Sequence, residues 1–326
     1  MKLSIVIPAY NEADNIGETI KELTKIIHDL DDPPASYEII VVDDSSSDQT
    51  FEAIQALDNT NVRIIRLSRR SGSHIALRAG LDAAHGNAAI CLAADGQDNP
   101  QALNAMISQW KAGHDIVWGL RKNRQNEPLL NNLFANLFYR LLSWFGETSS
   151  PDIDLSRADF YLLDRKVVNA IKSCQERNTS LFGLIVWLGF SQTFVEYDRR
   201  ERRAGTTKWN FKGRLQLAKD WILAFSGLPL KLMTVVGFCI AGIGFIYAVF
   251  VIVNSVIFGS PLQGWASVMT AILLLGGGQI MMLGIIGEYL WRTLDESRDR
   301  PTYFIEKDTH DQITVPTLSR RRMDSN

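Results

Sequence analysis

The first part of the chain alternates between short apolar runs and longer stretches with helical periodicity. The apolar runs, rich in β-branched residues, cover 4–8, 37–44, 62–67 and 88–93, as expected for strands buried on both faces. The stretches between and after them predict helices over 13–30, 48–57, 73–84 and 99–112. This alternation predicts an α/β domain with a mostly parallel sheet, right-handed crossovers and flanking helices.

A different pattern begins at Leu232, where charged residues stop. From 232 to 287 the chain has no Asp, Glu, Lys, Arg or His, and a cluster of turn-forming residues lies at 254–264. One bilayer crossing needs about 20 apolar residues, so the region is long enough for two. We expect membrane helices at about 232–256 and 265–287. The alternative is a helical pair buried in a soluble core, which seldom needs two adjacent segments of this kind.

The flanking charges predict the orientation of these helices. Residues 199–231 hold nine Lys or Arg against two acids, Arg292, Arg298 and Arg300 follow the second helix, and the connecting turn is uncharged. Positive residues stay on the cytoplasmic side, so we expect a multi-pass protein of the cytoplasmic membrane with its soluble domain and both termini inside. The chain then divides into a soluble domain (1–209), a juxtamembrane amphipathic region (210–231), the two spans (232–287) and a cytoplasmic tail (288–326).

Composition narrows the classes of partner. The formal net charge of −2 argues against nucleic acid. The three cysteines, Cys91, Cys174 and Cys239, show no metal-binding or disulfide spacing and suit a reducing compartment. The sequence contains neither a glycine-rich dinucleotide motif nor a P-loop.

Polar clusters follow each apolar run of the soluble domain. They comprise residues 8–12, the pair Asp43 and Asp44, Arg69, and residues 95–98. The carboxyl ends of parallel strands meet at one edge of a sheet, where ligands bind, so this edge is the predicted site. Such residues also cap helices, and for Asp48 we prefer a capping role to a ligand role.

The order of these segments resembles glycosyltransferase family 2, which has the GT-A fold. The resemblance is carried by VIPAYNEADNI, VVDDSSSDQT, LSRRSGSHIALRAGLDAAHGN and LAADGQDNP, and it continues in ADFYLLDRKVV, RRERRAGTTKW and GEYLWRTLDESRDRPTY. It extends from about residue 3 to 305 and is similar to the membrane-anchored branch that glycosylates polyisoprenyl phosphate. It implies a GT-A domain with a C-terminal two-helix hairpin, a nucleotide-sugar donor (uridine is expected) and a polyisoprenyl phosphate acceptor such as undecaprenyl phosphate. A homo-oligomer is also implied, since that branch includes tetramers.

The resemblance assigns the donor side of the site. Pro8, Ala9, Tyr10 and Glu12 would line the base and ribose, Tyr10 by stacking, while Asp43 or Asp44 would accept the imide N–H of the base. Arg69 would belong to the same donor site. Asp95 and Gln97 would offer two oxygens to Mg²⁺ or Mn²⁺ on the diphosphate, because positions i and i+2 of an extended segment share a face.

Two positions depart from the family pattern. The usual motif reads DADLQDPP, and its first aspartate is replaced here by Ala93. We expect metal-dependent catalysis to survive and donor recognition to change; a degenerate, inactive domain is the competing interpretation. Phe182 stands where relatives often carry Arg.

The resemblance assigns the acceptor side to Asp159 and to basic residues. Asp159 matches the aspartate usually described as the catalytic base; its structural alternative is an ion pair with Arg157 or Arg165. The candidates to bind the acceptor phosphate are Arg121, Arg199, Arg202 and Lys208, because cationic side chains match phosphate oxygens. For Lys212, Arg214 and Lys219 we prefer a patch that faces lipid headgroups.

The implied reaction is an inverting single displacement by the acceptor phosphate at the anomeric carbon. Two other classes of protein are alternatives. A processive polysaccharide synthase would need more membrane spans and a Q-x-x-R-W motif, and the sequence has neither. A non-catalytic membrane adaptor with a vestigial sugar-nucleotide fold is supported mainly by Ala93.

Overall fold

The computed structural model describes residues 1–57, 59–122, 157–174, 176, 180–198, 228–258 and 264–310. Among the predicted site residues, Arg199, Arg202 and Lys208 lie outside these ranges. Asp159 is described by its backbone alone. Most of the expected amphipathic region, up to residue 227, also lies outside the described residues.

Strands and helices alternate in the first half of the chain as predicted. The elements there are β1 (Lys2–Ala9), α1 (Ala13–His28), β2 (Ser36–Asp43), α2 (Thr50–Gln55), β3 (Val62–Leu67), α3 (Ser73–Ala83), β4 (Ala88–Cys91), a 3₁₀ turn (Pro100–Ala102) and α4 (Leu103–Lys111). The later elements are β5 (Ile116–Arg121), β6 (Ala158–Asp164), α5 (Arg165–Ser173), α6 (Leu181–Trp187), β7 (Gln192–Tyr197), α7 (Leu228–Phe258), α8 (Trp265–Ser297) and β8 (Ile305–Asp308).

All eight of these strands form one sheet in the order β7-β5-β6-β4-β1-β2-β3-β8. β1 pairs in parallel with β2 and β4, and β2 pairs in parallel with β3. β6 lies antiparallel between β4 and β5, and β8 is antiparallel to β3. The mixed, mostly parallel α/β sheet expected from the sequence is therefore confirmed.

Both faces of the sheet are covered by helices, which explains the continuous apolar strands. Leu3, Ile5 and Ile7 of β1 pack in one core with buried residues of α1, α2 and α4. Val6 points to the other face and packs in a core that includes residues of α3, α5 and α6. The central strand is thus fixed from both sides, and its carboxyl end at Ala9 is held in place.

The apolar C-terminal region forms two long helices. α7 and α8 contain the two segments predicted as spans, and α8 continues beyond residue 287 to Ser297. Large apolar side chains on both helices are exposed, among them Ile243, Phe245 and Ile280. Within the part of the chain that the structure describes, no helix is both long and apolar enough to cross a membrane.

The chain returns to the sheet after α8. Residues 305–308 were expected to belong to the cytoplasmic tail (288–326). They form instead the edge strand β8 beside β3. The segment IEKD has one apolar residue followed by three charged residues, so it carries no strand periodicity and this pairing had no local signal. The sheet consequently contains residues from both ends of the chain.

Candidate active site

The loop that follows β1 is fastened to the loop that follows β2. The backbone amide of Asn11 donates to Ser46 Oγ (3.0 Å), and the amide of Ser47 donates to Asn11 Oδ1 (2.9 Å). Asn11 has φ +53°, a left-handed conformation that asparagine tolerates. The amide of Glu12 donates to Thr50 Oγ1 (2.9 Å). These bonds fix the backbone on both sides of the loop that presents Tyr10 and Glu12.

The predicted donor residues of β1 and β2 meet at this edge. Ala9 is the register partner of Asp43, and Pro8 is that of Val42. The amide of Asp44 donates to the carbonyl of Ala9 (2.9 Å). Glu12 is buried, and its Oε2 accepts from Asn15 Nδ2 (2.8 Å). The structure therefore brings together the first two polar clusters.

Asp43 and Asp44 have different surroundings. Asp43 is fully buried, its Oδ1 accepts from the amide of Ser46 (2.9 Å), and its Oδ2 lies 3.2 Å from Arg66 Nη1. Asp44 accepts from the amides of Ser71 (2.6 Å) and Gly72 (2.8 Å) and so holds the loop between β3 and α3. Burial raises the pKa of Asp44 despite these donors. Both acids organise loops around the site, and Asp44 keeps 3% exposure.

Tyr10 is covered by a guanidinium group that the sequence did not single out. The Cζ of Arg70 lies 4.0 Å from the centroid of the Tyr10 ring, within the range of a cation–π contact. The prediction named its neighbour Arg69; both arginines are exposed. Arg70 reaches the β1 loop through its contact with Tyr10.

Partly exposed and buried residues alternate in the segment after β4. Ala93, Asp95 and Gln97 are partly exposed, whereas Ala94, Gly96 and Asp98 are buried. Gly96 has φ +71°, and the amide of Gln97 donates to Asp95 Oδ1 (3.1 Å), so the segment is a tight turn rather than a regular strand.

The buried members of this turn hold it in place. Asp98 Oδ2 accepts from the amide of Ala93 (2.7 Å), and Thr19 Oγ1 donates to the carbonyl of Ala94 (3.0 Å). Asp95 and Gln97 are both partly exposed on this turn. Their carboxylate and amide oxygens fit a hard divalent cation. Over the described residues, no group of three His, Cys, Asp or Glu side chains forms a complete metal site.

Asp48 is a cap, as predicted. Its Oδ1 accepts from the amide of Thr50 (3.0 Å), the first residue of α2. Its Oδ2 accepts from the amide of Ala13 (3.3 Å), the first residue of α1. One carboxylate therefore serves the starts of two helices.

The backbone of Asp159 lies at the same edge of the sheet. β6 begins at Ala158, and its pairing with β5 shifts between Gly119 and Leu120, so residue 159 is an extra residue in a β-bulge. Bulges are frequent beside active sites, where they redirect a side chain. Cys91 pairs with Tyr161, and continuing this antiparallel register brings position 159 level with position 93.

Arg157 and Arg165, the alternative ion-pair partners expected for Asp159, have other partners among the described residues, and Arg165 follows the opposite end of β6. Arg157 donates through Nε to the carbonyl of Arg121 (2.7 Å) and through Nη2 to Glu196 (2.7 Å). Arg165 donates to the carbonyls of Ala84 and Gly86. Arg121 ends β5 and is partly buried at the same edge.

Phe182 is a packing residue. Its ring lies 4.7 Å from that of Trp118 and 5.5 Å from that of Tyr161, measured between centroids. An arginine at this position would have to displace an aromatic cluster between the sheet and α6. The departure from the family pattern thus corresponds to core packing.

Comparisons with known proteins agree with the architecture. The family model "Glycosyl transferase family 2" matches residues 4–156, and "GtrB C-terminal hairpin" matches 228–292. An uncharacterized glycosyltransferase of Synechocystis, sll0501, is 42% identical over 94% of this chain and 95% of its own length. The bactoprenol glucosyl transferase of Shigella phage SfV is 36% identical over 94% of this chain and 99% of its own.

A solved structure is also similar. It is glucosyl-3-phosphoglycerate synthase from Mycobacterium tuberculosis, in complex with Mn²⁺ and UDP among other ligands, with a TM-score of 0.45, 17% identity and coverage of 68% and 77% of the two chains. The sequence relatives extend over both the sheet domain and the hairpin. The chain therefore belongs to glycosyltransferase family 2 and carries the C-terminal hairpin of the GtrB type.

Proposed function

We propose that this glycosyltransferase moves a sugar from a nucleotide-diphospho-sugar, a UDP-sugar, to a polyisoprenyl phosphate in the membrane. The observation that carries the proposal is the convergence of the first two polar clusters, the 93–98 turn and the Asp159 bulge at one edge of the sheet. The relative named as a bactoprenol glucosyl transferase spans both parts of the chain, which supports a lipid acceptor. The product would be a lipid-linked sugar for modification of the cell envelope.

The donor side of the proposal follows from the loop network. Tyr10 and Glu12 would contact the base and ribose, with Asp44 as the less enclosed of the two acids near the imide. Asp95 and Gln97 would hold Mg²⁺ or Mn²⁺ on the diphosphate. When bound, such a cation would neutralise charge on the nucleoside diphosphate as it leaves.

The acceptor side rests on the bulge and on basic residues. A phosphate monoester is largely ionised near neutral pH, since its second pKa is about 6. Its oxygen would form a bond to the anomeric carbon as the bond from that carbon to the nucleoside diphosphate breaks, with inversion. Asp159 would orient this oxygen or take its last proton, and Arg121, Arg199, Arg202 and Lys208 would bind the phosphate.

We propose that α7 and α8 insert into the cytoplasmic membrane as a hairpin, with the catalytic domain and both termini on the cytoplasmic side. The exposed apolar side chains of both helices support this, because soluble proteins rarely expose such large contiguous apolar surface. A homo-oligomer, with a tetramer as one form, is also proposed. A Cβ added to Gly276, Gly277 or Gly284 would meet no described atom within 4 Å, so this glycine-rich surface is open for close helix packing.

The decisive experiment supplies the purified full-length protein with UDP-glucose, undecaprenyl phosphate and Mg²⁺ or Mn²⁺. We expect release of UDP together with a glycosylated lipid, loss of both products in excess chelator, and a lower kcat in Asp159→Asn with little change in either KM. A thermal-shift series across UDP- and GDP-sugars identifies the donor. Nucleotide-sugar binding without turnover on any polyprenyl phosphate would contradict the proposal and favour the adaptor interpretation.

A further inference from the structure

The segment that follows α8 is attached to the sheet at several points. We call residues 303–309 the strap. Tyr303 Oη donates to Asp82 Oδ2 (2.8 Å), and the amide of Ser68 donates to the carbonyl of Phe304 (2.9 Å). Arg63 binds Asp308 through two bonds, Nε to Oδ1 (3.0 Å) and Nη2 to Oδ2 (2.6 Å). These contacts fix β8 as the edge strand.

One further contact of the strap involves Arg66, which also contacts the loop that follows β2. Glu306 Oε2 lies 3.3 Å from Arg66 Nε. The same guanidinium lies 3.2 Å from Asp43 Oδ2 through Nη1, and its Nη2 donates to the carbonyl of Ser46 (3.1 Å). The Cζ of Arg66 also stands 5.7 Å from the centroid of the Phe51 ring. Arg66 therefore bridges the strap and the loop that follows β2.

This bridge continues into the β1 loop. Asp43 has no exposed surface, and its Oδ2 accepts no hydrogen bond from the described residues, while the Arg66 guanidinium supplies a counter-charge beside it. Ser46, held by Asp43 and by Arg66, accepts from the amide of Asn11. Asn11 lies between Tyr10 and Glu12. A continuous set of polar contacts thus joins the strap to the residues proposed to receive the nucleoside.

We propose that Arg66 and Glu306 are positioning residues for the nucleotide-sugar site, an inference that rests on the proposed function. Glu306 attracts the Arg66 guanidinium by charge, at ion-pair distance and without a hydrogen bond to Nε. Arg66 in turn holds Asp43 and Ser46 in the arrangement that shapes the β1 loop. Because the strap follows α8 in the chain, residues beyond the hairpin would then support the donor site.

The test compares two isosteric changes in the strap of the full-length protein. Glu306→Gln removes the charge that faces Arg66, and we expect the KM for UDP-glucose to rise about twofold to fivefold, as suits a half-exposed ion pair. The kcat and the KM for undecaprenyl phosphate should not change. Asp308→Asn is the matched control, because it weakens the more buried pair with Arg63. It should lower the Tm more than Glu306→Gln does and leave the donor KM unchanged.

A third variant tests Arg66 itself. Arg66→Ala would leave Asp43 buried without a counter-charge and can fail to fold, so Arg66→Lys is used. It keeps the charge but loses the fork, and we expect a donor KM about tenfold higher with normal kcat. If the strap has only a structural role, the donor KM of each variant should rise in proportion to its loss of Tm. Asp308→Asn would then show the larger increase in donor KM, and this result would overturn the inference. So would an unchanged KM in both Glu306→Gln and Arg66→Lys. Absence of UDP-glucose binding and turnover in the wild type would instead contradict the proposed function, and the inference with it.

Discussion

Asp95 is the residue on which the proposed metal site depends most. Like Gln97 it is partly exposed in the 93–98 turn, and it supplies the negative charge of the pair. Asp95→Asn replaces a charged hard ligand by a neutral one, and we expect turnover to fall about 100-fold or more, since even outer-shell changes cost 10–100-fold. The measurement is the initial rate across a Mn²⁺ titration, with Mn²⁺ binding in the presence of UDP followed separately by calorimetry.

The control for Asp95→Asn is Asp48→Asn, at the same edge of the sheet. Asp48 caps two helices, so its variant should lower the free energy of unfolding by about 1 kcal/mol or less and keep the rate and the metal dependence. Full activity of Asp95→Asn, or activity in excess chelator, would exclude Asp95 as a ligand.

Ala93 is the clearest departure from the family motif, and its surroundings allow a larger side chain. The residue is partly exposed, while Asp98 holds its amide. If the missing carboxylate normally binds hydroxyl groups of the donor, Ala93→Asp should lower the KM for UDP-glucose or shift the preference among donors. Ala93→Asn, of similar size but uncharged, is the control. Equal donor kinetics in all three proteins would leave the substitution without a role in recognition.

Individual site residues were predictable only where a local motif carried them. Tyr10, Glu12, Asp43, Asp44, Asp95 and Gln97 follow strands that the hydrophobic pattern located, so their common edge could be foreseen. Arg66 lies inside a strand, and its partner Glu306 is distant in the chain. No spacing rule joins two such positions, because their contact depends on an edge strand that only the folded sheet creates.

At the scale of elements, α3 packs against β1 and β2 through a position that has no room for a side chain. A Cβ on Gly80 would lie 2.3 Å from Val6 Cγ1 and 3.1 Å from Val42 Cγ2. Gly80→Ala should therefore cost about 1–3 kcal/mol of the free energy of unfolding, through overpacking of the core. Denaturant unfolding of the variant measures this cost.

Gly17 of α1 provides the matched comparison. A Cβ there would meet only Leu57 Cδ2, at 3.8 Å, which is an ordinary contact. Gly17→Ala should stabilise the protein by about 0.5–1 kcal/mol, because glycine is a poor helix former. If both variants change the free energy of unfolding in the same direction, Gly80 is not required for the close packing of α3 on β1.

The elements themselves were predicted to different degrees. The four parallel strands and the helices between them follow from periodicity, and the structure agrees apart from the ends of strands and helices. Strand β6 lies between two strands that precede it in the chain, and β8 joins after the hairpin, so their places reflect long-range pairing. Such pairings are selected by the whole sheet and leave no periodic signal in the segment itself.

At the scale of the whole molecule, the chain that leaves the hairpin after α8 returns to the sheet through β8. Because β8 pairs with β3, residues 305–308 lie on the same side of any membrane as the catalytic sheet. Two helices that cross the membrane once each would then place the connecting residues 259–263 on the opposite side. The pairing of β8 therefore supports one part of the topology expected from the positive charges, that both flanks of the hairpin lie on the same side; the charges alone predict that this side is cytoplasmic.

Cysteine labelling in intact cells tests this topology. Gln263→Cys should react with a membrane-impermeant maleimide added outside, whereas Lys307→Cys, on β8, should react only after the membrane is permeabilised. Both are made with Cys174→Ser and Cys239→Ser. Cys91 can remain, because it is buried and burial raises the pKa of its thiol to about 12, which keeps it unreactive. Labelling of Lys307→Cys from outside would show that the orientation is the reverse of the proposed one. Protection of both sites in intact cells would indicate that α7 and α8 do not cross the membrane, and the acceptor would then have to reach the site from the surface of the bilayer.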